Sequence, residues 1–151
     1  MTEISLITHA PGAPGLRLFG LGPNFLPNRG IYKLKDLLNN HAFWASKRSA
    51  PMLRKMLANS SVIISLWKEQ RMIGFGRATS DKVYRAVLWD VVIANDLQGL
   101  GLGKLIIEAL VESPSLKNVE KIYLMTTNSS DFYLQMGFKL VDNQKLLINR
   151  K

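Results

Sequence analysis

The chain has 151 residues, of which 47% are hydrophobic and 21% charged, with a formal net charge of +9 and no cysteine. This length fits one domain with a sizeable core, and the lack of cysteine excludes disulfides, thiolate metal ligands and a cysteine nucleophile. No apolar run approaches the roughly 20 residues of a membrane helix, and the amino terminus carries no recognisable secretory signal. We therefore expect a cytoplasmic protein without a membrane span, and we predict no metal site.

The basic residues are dispersed along the chain rather than collected in one run. A basic surface favours anionic partners, including nucleic acid and phosphate-rich small ligands. Dispersed charge is more typical of a solvated surface than of a specific polyanion groove. We favour the solvated surface and do not expect nucleic acid as a partner; the polyanion groove is the alternative.

Residues 1–30 are predicted to form an N-terminal arm with short strands, because two clusters of proline and glycine interrupt them. Within the arm, Ile4–Thr8 and residues 16–19 are the predicted strands. The arm has too few apolar residues for a core of its own, so it is not a separate domain. The compact domain is predicted to span residues 31–151.

Two helices are predicted next. Leu34, Leu37 and Leu38 recur at helical spacing within residues 31–40, and Ser49 is a typical N-cap for a second helix that follows. Phe43 and Trp44 lie in the connection. They either line a substrate pocket or cover the core.

Three strands, over residues 61–67, 72–78 and 83–93, are separated by short polar turns and predict an antiparallel meander. A helix over 103–112 and a strand over 122–126 then complete a strand–helix–strand unit, which predicts a parallel pair. The remaining predicted elements are a short helix at 131–136 and two strands at 138–141 and 146–149.

A glycine-rich loop joins the third strand of the meander to the helix that follows it. Its residues are Gln98, Gly99, Leu100, Gly101, Leu102, Gly103 and Lys104. A loop of this kind places backbone N–H groups at a helix N-terminus, where a phosphate or diphosphate can bind. The spacing matches neither a P-loop nor the dinucleotide fingerprint G-x-G-x-x-G.

About thirty residues after the loop comes the segment Phe132-Tyr133-Leu134-Gln135-Met136-Gly137-Phe138. Together with the Gln-x-x-Gly-x-Gly loop and the meander, it resembles the GCN5-related N-acetyltransferase superfamily over about residues 31–141. The resemblance implies an α/β (α+β) fold. Its sheet would be mixed and mostly antiparallel, with six to seven strands, about four flanking helices and a splayed parallel strand pair.

Segments 62–67, 73–81, 89–93 and 123–127 resemble the cyanobacterial and plant-plastid branch of that superfamily. Members of the branch are known as serotonin N-acetyltransferases, and plastid relatives also acetylate protein amines. The resemblance implies direct transfer of acetyl from acetyl-CoA to a primary amine, such as the arylalkylamines serotonin and tryptamine. The alternatives are a protein lysine or N-terminal acetyltransferase, and a non-enzymatic module that senses CoA or binds nucleic acid. We expect a monomer or a homodimer.

The resemblance also implies roles for particular residues. The strand edge at Val91, Val92 and Ile93 would bind the pantetheine arm, and the N–H of Val92 would stabilise the developing oxyanion. The diphosphate would contact residues 98–104, with Lys104 either adding charge or lying solvated on the helix. Asn128, Phe132 and Tyr133 complete the cofactor-binding set. Phe43 and Trp44 would bind the amine.

Tyr133 is the predicted general acid, which would protonate the departing thiolate. Asp90 is either the general base or a structural carboxylate paired with Arg77 or Arg85. His9 and His41 are weaker choices for the base. The sequence departs from the family pattern at Thr126, where many members have asparagine, and at Ala94-Asn95, where Asp-Pro is usual.

Overall fold

The computed structural model describes residues 3–151, so the first two residues of the predicted arm lie outside the description. Over these residues the sheet has five strands, in the order β1-β2-β3-β4-β5. The strands are β1 Ile4–Thr8, β2 Val62–Lys68, β3 Arg71–Ser80, β4 Arg85–Ile93 and β5 Lys121–Tyr123. Neighbouring strands are antiparallel except β4 and β5, which are parallel. The predicted fold class is confirmed, with fewer strands than the six or seven expected.

Helices cover both faces of this sheet. They are α1 Pro14–Phe19, α2 Gly30–His41, α3 Ala50–Ala58, α4 Leu102–Val111 and α5 Ser130–Gln135. Leu34, Leu37 and Leu38 of α2 are buried, as their spacing predicts. The hydroxyl of Ser49 accepts a hydrogen bond from the N–H of Met52 at 3.3 Å and caps α3. Across residues 3–151, no helix combines the length and apolar character needed to cross a membrane.

Three predicted strands are wrong. Residues 16–19 belong to α1, because Pro14 supplies a helical φ at the first turn and Gly20, at φ +63°, ends the helix. Leu16 of this helix is fully buried in the core. Residues 138–141 and 146–149 form no strand. Their composition favours extended backbone, but a strand also needs a neighbour for its hydrogen bonds, and the edge strand β5 is only three residues long.

Strand β4 contains a bulge within its pairing with β3. Phe75 pairs with Val92, but Arg77, two residues further along β3, pairs with Trp89. One extra residue therefore lies on β4, and Asp90 takes a φ of +54° there. A left-handed residue inside a strand bends the strand and changes which face the following side chains occupy.

Strands β4 and β5 separate after a short parallel contact. They pair only over residues 85–87 and 121–123. Beyond that contact, residues 88–93 of β4 have no described strand on the β5 side, which confirms the predicted splay. Helix α4 packs closely on β3, because a Cβ added at Gly76 would lie 2.7 Å from Ile106.

A partly buried hydrogen-bond network joins His9, which directly follows β1, to β2. His9 Nε2 lies 2.7 Å from Ser65 Oγ, and the indole N–H of Trp67 donates to the same oxygen at 2.9 Å. The Ser65 hydroxyl can donate to Nε2 of a neutral His9 while its oxygen accepts from Trp67. Burial lowers the pKa of His9 from 6.5 to about 4.

This network is expected to make the fold sensitive to acid. The unfolded chain binds a proton at His9 below about pH 6.5, while the folded chain does not until about pH 4. Stability from this group is therefore complete above pH 6.5 and falls as the pH drops, by at most about 1.4 kcal/mol per pH unit. Urea unfolding between pH 7 and pH 5 should show a smaller loss for His9→Gln than for wild type. His41→Gln is the control, and an identical loss in His9→Gln and wild type would contradict the assignment.

Candidate active site

A cleft of about 600 Å³ lies where β4, the glycine loop and α5 meet. Strand β4 contributes Val91 and Ile93. The loop and the start of α4 contribute Leu97, Gln98, Gly99, Gly101, Leu102, Gly103 and Lys104. Helix α5 and its flanking residues contribute Ser129, Phe132, Tyr133, Gln135 and Met136. The strand, loop and short helix singled out in the sequence thus share one cavity.

The loop requires glycine at two positions that face open space. Gly99 and Gly101 have φ values of +81° and +80°, and nothing lies within 4 Å of a Cβ built on either residue. Side-chain residues seldom adopt these angles, and any side chain would extend into that space. Gly101 also precedes the first residue of α4, whose first N–H groups have no partner within the helix. This end of the cleft is therefore suited to an anion.

Gln98 holds the loop to the end of β4. Its side-chain amide donates to the carbonyl of Ile93 at 3.4 Å and to Asn95 Oδ1 at 3.1 Å. Lys104 lines the cleft and also lies 3.8 Å from Glu108, one helical turn away. The position of Lys104 therefore suits either predicted role, a positive charge for the diphosphate or a solvated residue of α4.

Tyr133 is half-buried in the cleft among aromatic rings. Its ring lies edge-on to Phe132 at 5.0 Å and to Phe138 at 5.9 Å between centroids. Burial raises the pKa of the Tyr133 phenol above its usual value of 10. The phenol is therefore protonated at neutral pH, which a general acid requires.

Asp90 is buried and paired with two arginines. Its Oδ2 accepts from Arg48 Nη1 at 2.9 Å and from Arg77 Nε at 2.8 Å, whereas Arg85 pairs with Glu120. Burial alone would raise the pKa of the carboxyl, but the hydrogen bonds and charges of the two arginines lower it. The role of Asp90 as general base stays a prediction, and these contacts weigh against it because they occupy the oxygen and reduce its basicity.

Several predicted site residues lie away from the lining of the cleft. The side chain of Val92 is buried, Leu100 is exposed, and Asn128 is exposed beside Ser129, to which its Oδ1 lies at 3.4 Å. The hydroxyl of Thr126, which stands where many family members have asparagine, accepts from the N–H of Ser129 at 3.1 Å. It thereby fixes the turn that leads into α5.

Sequence reasoning missed Leu97, Ser129, Gln135 and Met136. A signal for two of them was present, because Ser129, Phe132, Tyr133 and Met136 are spaced by three and four residues and share one face of a helix. Leu97 and Gln135 follow no comparable pattern.

Phe43 and Trp44 are exposed, with 72% and 49% of their surface accessible. Their rings contact edge-on at 5.1 Å. The interpretation that they cover the core is wrong, since Ala42 and Ala45 fill the buried positions of this turn. They do not line the cleft itself, and they lie on the connection between α2 and α3.

Comparisons with known proteins agree with this geometry. The model of the acetyltransferase (GNAT) family matches residues 31–138. An uncharacterized N-acetyltransferase ycf52 of Pyropia yezoensis is 38% identical over 116 residues, covering 74% of this chain and 66% of the relative. A chloroplastic serotonin N-acetyltransferase 2 of Oryza sativa subsp. japonica is 36% identical over 102 residues, covering 62% of this chain and 50% of the relative. The chain thus spans at most about two thirds of the length of these relatives.

A solved GNAT family acetyltransferase from Streptococcus pneumoniae has the same fold, with a TM-score of 0.72 at 17% identity, covering 99% of this chain and 100% of that one. The chain belongs to the acetyltransferase (GNAT) family. Enzymes of this family use acetyl-CoA as the acetyl donor.

The open space beside Gly101 gives a direct test of where acetyl-CoA binds. Gly101→Asp places a carboxylate at the N-terminus of α4, where it would repel the diphosphate. Isothermal titration should show a dissociation constant for acetyl-CoA at least about tenfold higher, equivalent to roughly 1.4 kcal/mol. Gly137→Asp is the matched control, because Gly137 also has a positive φ, of +93°, with open space around its Cβ. An equal loss of affinity in both variants would contradict the assignment.

Proposed function

We propose that the protein is an acetyl-CoA-dependent N-acetyltransferase that moves acetyl directly to the primary amine of an arylalkylamine. The observation that carries the proposal is the convergence of a splayed strand edge, a glycine loop and a protonated tyrosine in one cleft. The arylalkylamine is supported by the similarity to a serotonin N-acetyltransferase and by the exposed pair Phe43 and Trp44.

The residues present fit acetyl-CoA along its length. The amides of residues 99–104 suit the diphosphate, and the free edge of β4 suits the amides of the pantetheine arm, which would add to the sheet as an extra strand. When bound, acetyl-CoA supplies an activated acetyl group as a thioester. In our proposal Val91, Val92 and Ile93 align that thioester, and Phe132 packs against the arm.

Two groups then assist the transfer. As the amine nitrogen forms its bond to the carbonyl carbon, a backbone N–H at the free edge of β4 would donate to the carbonyl oxygen, where negative charge develops. The predicted donor, Val92, does not suit this role, because Val92 pairs with Phe75 and its N–H points toward β3, as does that of Ala94, which donates to Ile73. We propose the N–H of Val91 instead, since successive N–H groups alternate between the two sides of a strand.

The C–S bond breaks, and the Tyr133 phenol gives its proton to the departing sulfur. The nitrogen loses its second proton as the amide forms, and a proton from solvent restores the phenol. The amine must lose a proton before it attacks. Asp90 is the acceptor predicted from the sequence, but Arg48 and Arg77 occupy its oxygen, so we propose that this proton leaves to solvent.

Removing the proposed acid should slow turnover without weakening cofactor binding. Tyr133→Phe is expected to lower kcat by about 10²-fold, because the ring still packs but no proton is available. Steady-state kinetics with the best amine, together with titration of acetyl-CoA, provide the measurement. Tyr84→Phe, at an exposed tyrosine, is the control. Full activity of Tyr133→Phe at every pH would overturn the role of Tyr133.

A screen of amines with acetyl-CoA by liquid chromatography tests the acceptor. We expect serotonin and tryptamine to be acetylated with higher kcat/KM than lysine-containing or N-terminal peptides. Faster turnover of peptides would establish a protein acetyltransferase instead. If acetyl-CoA causes no rise in Tm while nucleic acid binds in a salt-dependent way, the protein is a binding module rather than an enzyme.

A further inference from the structure

The connection between α2 and α3, residues 42–49, is fastened at one end to the turn that follows β4 and at the other end to β4 itself. Before it, His41 Nδ1 accepts a hydrogen bond from the N–H of Asn95 at 3.0 Å, just after β4 ends. At its far end, Arg48 Nη1 donates to Asp90 Oδ2 at 2.9 Å, within β4. The connection therefore runs beside the segment of β4 that includes Val91 and Ile93.

Further contacts stiffen this connection. The N–H of Lys47, at a φ of +65°, donates to Asn39 Oδ1 at 2.8 Å, and the hydroxyl of Ser46 donates to the carbonyl of Phe43 at 3.3 Å. Ala42 and Ala45 are buried in the core. A loop fixed in this way can present side chains in a defined position instead of sampling many.

The anchor at Asp90 is itself held by the sheet. Arg77 of β3 donates to Asp90 and, at 3.3 Å, to the hydroxyl of Ser60, and its guanidinium lies 5.9 Å from the ring of Trp89. The indole N–H of Trp89 donates to Thr79 at 2.9 Å. The chain of contacts runs from the sheet, through the bulge, to Arg48 and the α2–α3 connection.

The connection and the cleft lie on opposite faces of β4, so an acceptor held on the connection would meet a thioester in the cleft at the free edge of that strand. Val91 and Ile93 face the cleft, while Asp90 and Val92 are buried against the other side of the strand. The bulge at Asp90 is what places Val91 on the cleft side. One strained residue therefore fixes the strand edge on one side and the loop that carries Phe43 and Trp44 on the other.

We propose that Asp90 and Arg48 are positioning residues, which hold the α2–α3 connection so that Phe43 and Trp44 form the surface that receives the acceptor. This inference rests on the proposed function and names the residues that would hold the surface for its substrate. The connection contains Lys47 and Arg48 but no acidic residue, and the charge of Asp90 is already opposed by two arginines. An acceptor with one amine and an aromatic ring is therefore favoured over a polyamine or a lysine-rich peptide.

Arg48→Met tests the anchor, because Asp90 keeps Arg77 as a partner and the fold should survive. We expect the KM for the aromatic amine to rise at least about tenfold, while the dissociation constant of acetyl-CoA changes less than about twofold. Arg85→Met is the matched control, since Arg85 also pairs with an acid, Glu120 at 3.4 Å, but lies at the start of β4, away from the connection. Arg48→Lys should restore part of the lost affinity.

Asp90→Asn separates positioning from proton transfer. Asparagine tolerates a positive φ and its amide oxygen still accepts from an arginine. A positioning role predicts a higher KM for the amine, while the fall of kcat/KM at acidic pH remains as in wild type. A role as general base predicts that this dependence on acidic pH disappears and that kcat falls by about 10²-fold or more.

Hydrogen exchange reports on the anchor independently of activity. Residues 42–49 should exchange faster in Arg48→Met than in wild type or Arg85→Met. Unchanged exchange in this segment, or an unchanged KM for the amine in Arg48→Met, would overturn the inference while leaving the acetyltransferase assignment intact. Failure of wild type to bind acetyl-CoA would instead overturn the proposed function. A kcat/KM for spermidine above that for tryptamine would overturn the substrate preference.

Discussion

The left-handed residue within β4 is the constraint on which both sides of the candidate site depend. Asp90 has a φ of +54° in the middle of a strand, a conformation that costs free energy unless neighbouring contacts hold it. Its carboxylate receives hydrogen bonds from Arg48 and Arg77, which tie it to the α2–α3 connection and to β3. These contacts fix the bend, and the bend turns Val91 toward the cleft.

Two further features prepare β4 and the segment after it for a ligand: the separation of β4 from β5, and the glycine loop. The two strands pair over three residues each and then diverge, so the following edge of β4 is free to bind an extended ligand. Where β4 ends, Gly99 and Gly101 keep the N-terminus of α4 clear of side chains. One continuous segment thus supplies an edge for an amide-containing arm and, beyond it, a site for a diphosphate.

Local sequence patterns were sufficient for the meander and for α2, α3, α4 and α5, whereas the shared location of the loop and Tyr133 followed only from the resemblance to the acetyltransferase superfamily. Runs of β-branched residues, helical spacing of leucines and glycine at the loop each act within a few residues. The pairing of Arg48 with Asp90 joins residues 42 positions apart, so no local pattern predicts it. The choice of Arg48 over Arg85 as the second partner also depends on how α3 packs, which propensity does not encode.

The wrong predictions also concern residues whose structure depends on contacts with distant parts of the chain. Residues 16–19 alternate in a way that suits a strand, but Pro14 and the buried position of Leu16 favour a helix against α2 and α3. Residues 138–141 and 146–149 have the composition of strands, but pairing requires a neighbouring edge that the sequence does not specify. Phe43 and Trp44 illustrate a third case, since aromatic composition favours burial while the adjacent alanines occupy the buried positions.

The central claim is that this cleft binds acetyl-CoA through the strand edge and the loop together. Isothermal titration of wild type with acetyl-CoA and with S-acetylpantetheine, which lacks the diphosphate, tests both parts at once. We expect saturable binding of acetyl-CoA with one site per chain, and binding of S-acetylpantetheine weaker by at least about tenfold, equivalent to roughly 1.4 kcal/mol. No binding of acetyl-CoA, or equal affinity for the two compounds, would contradict the account.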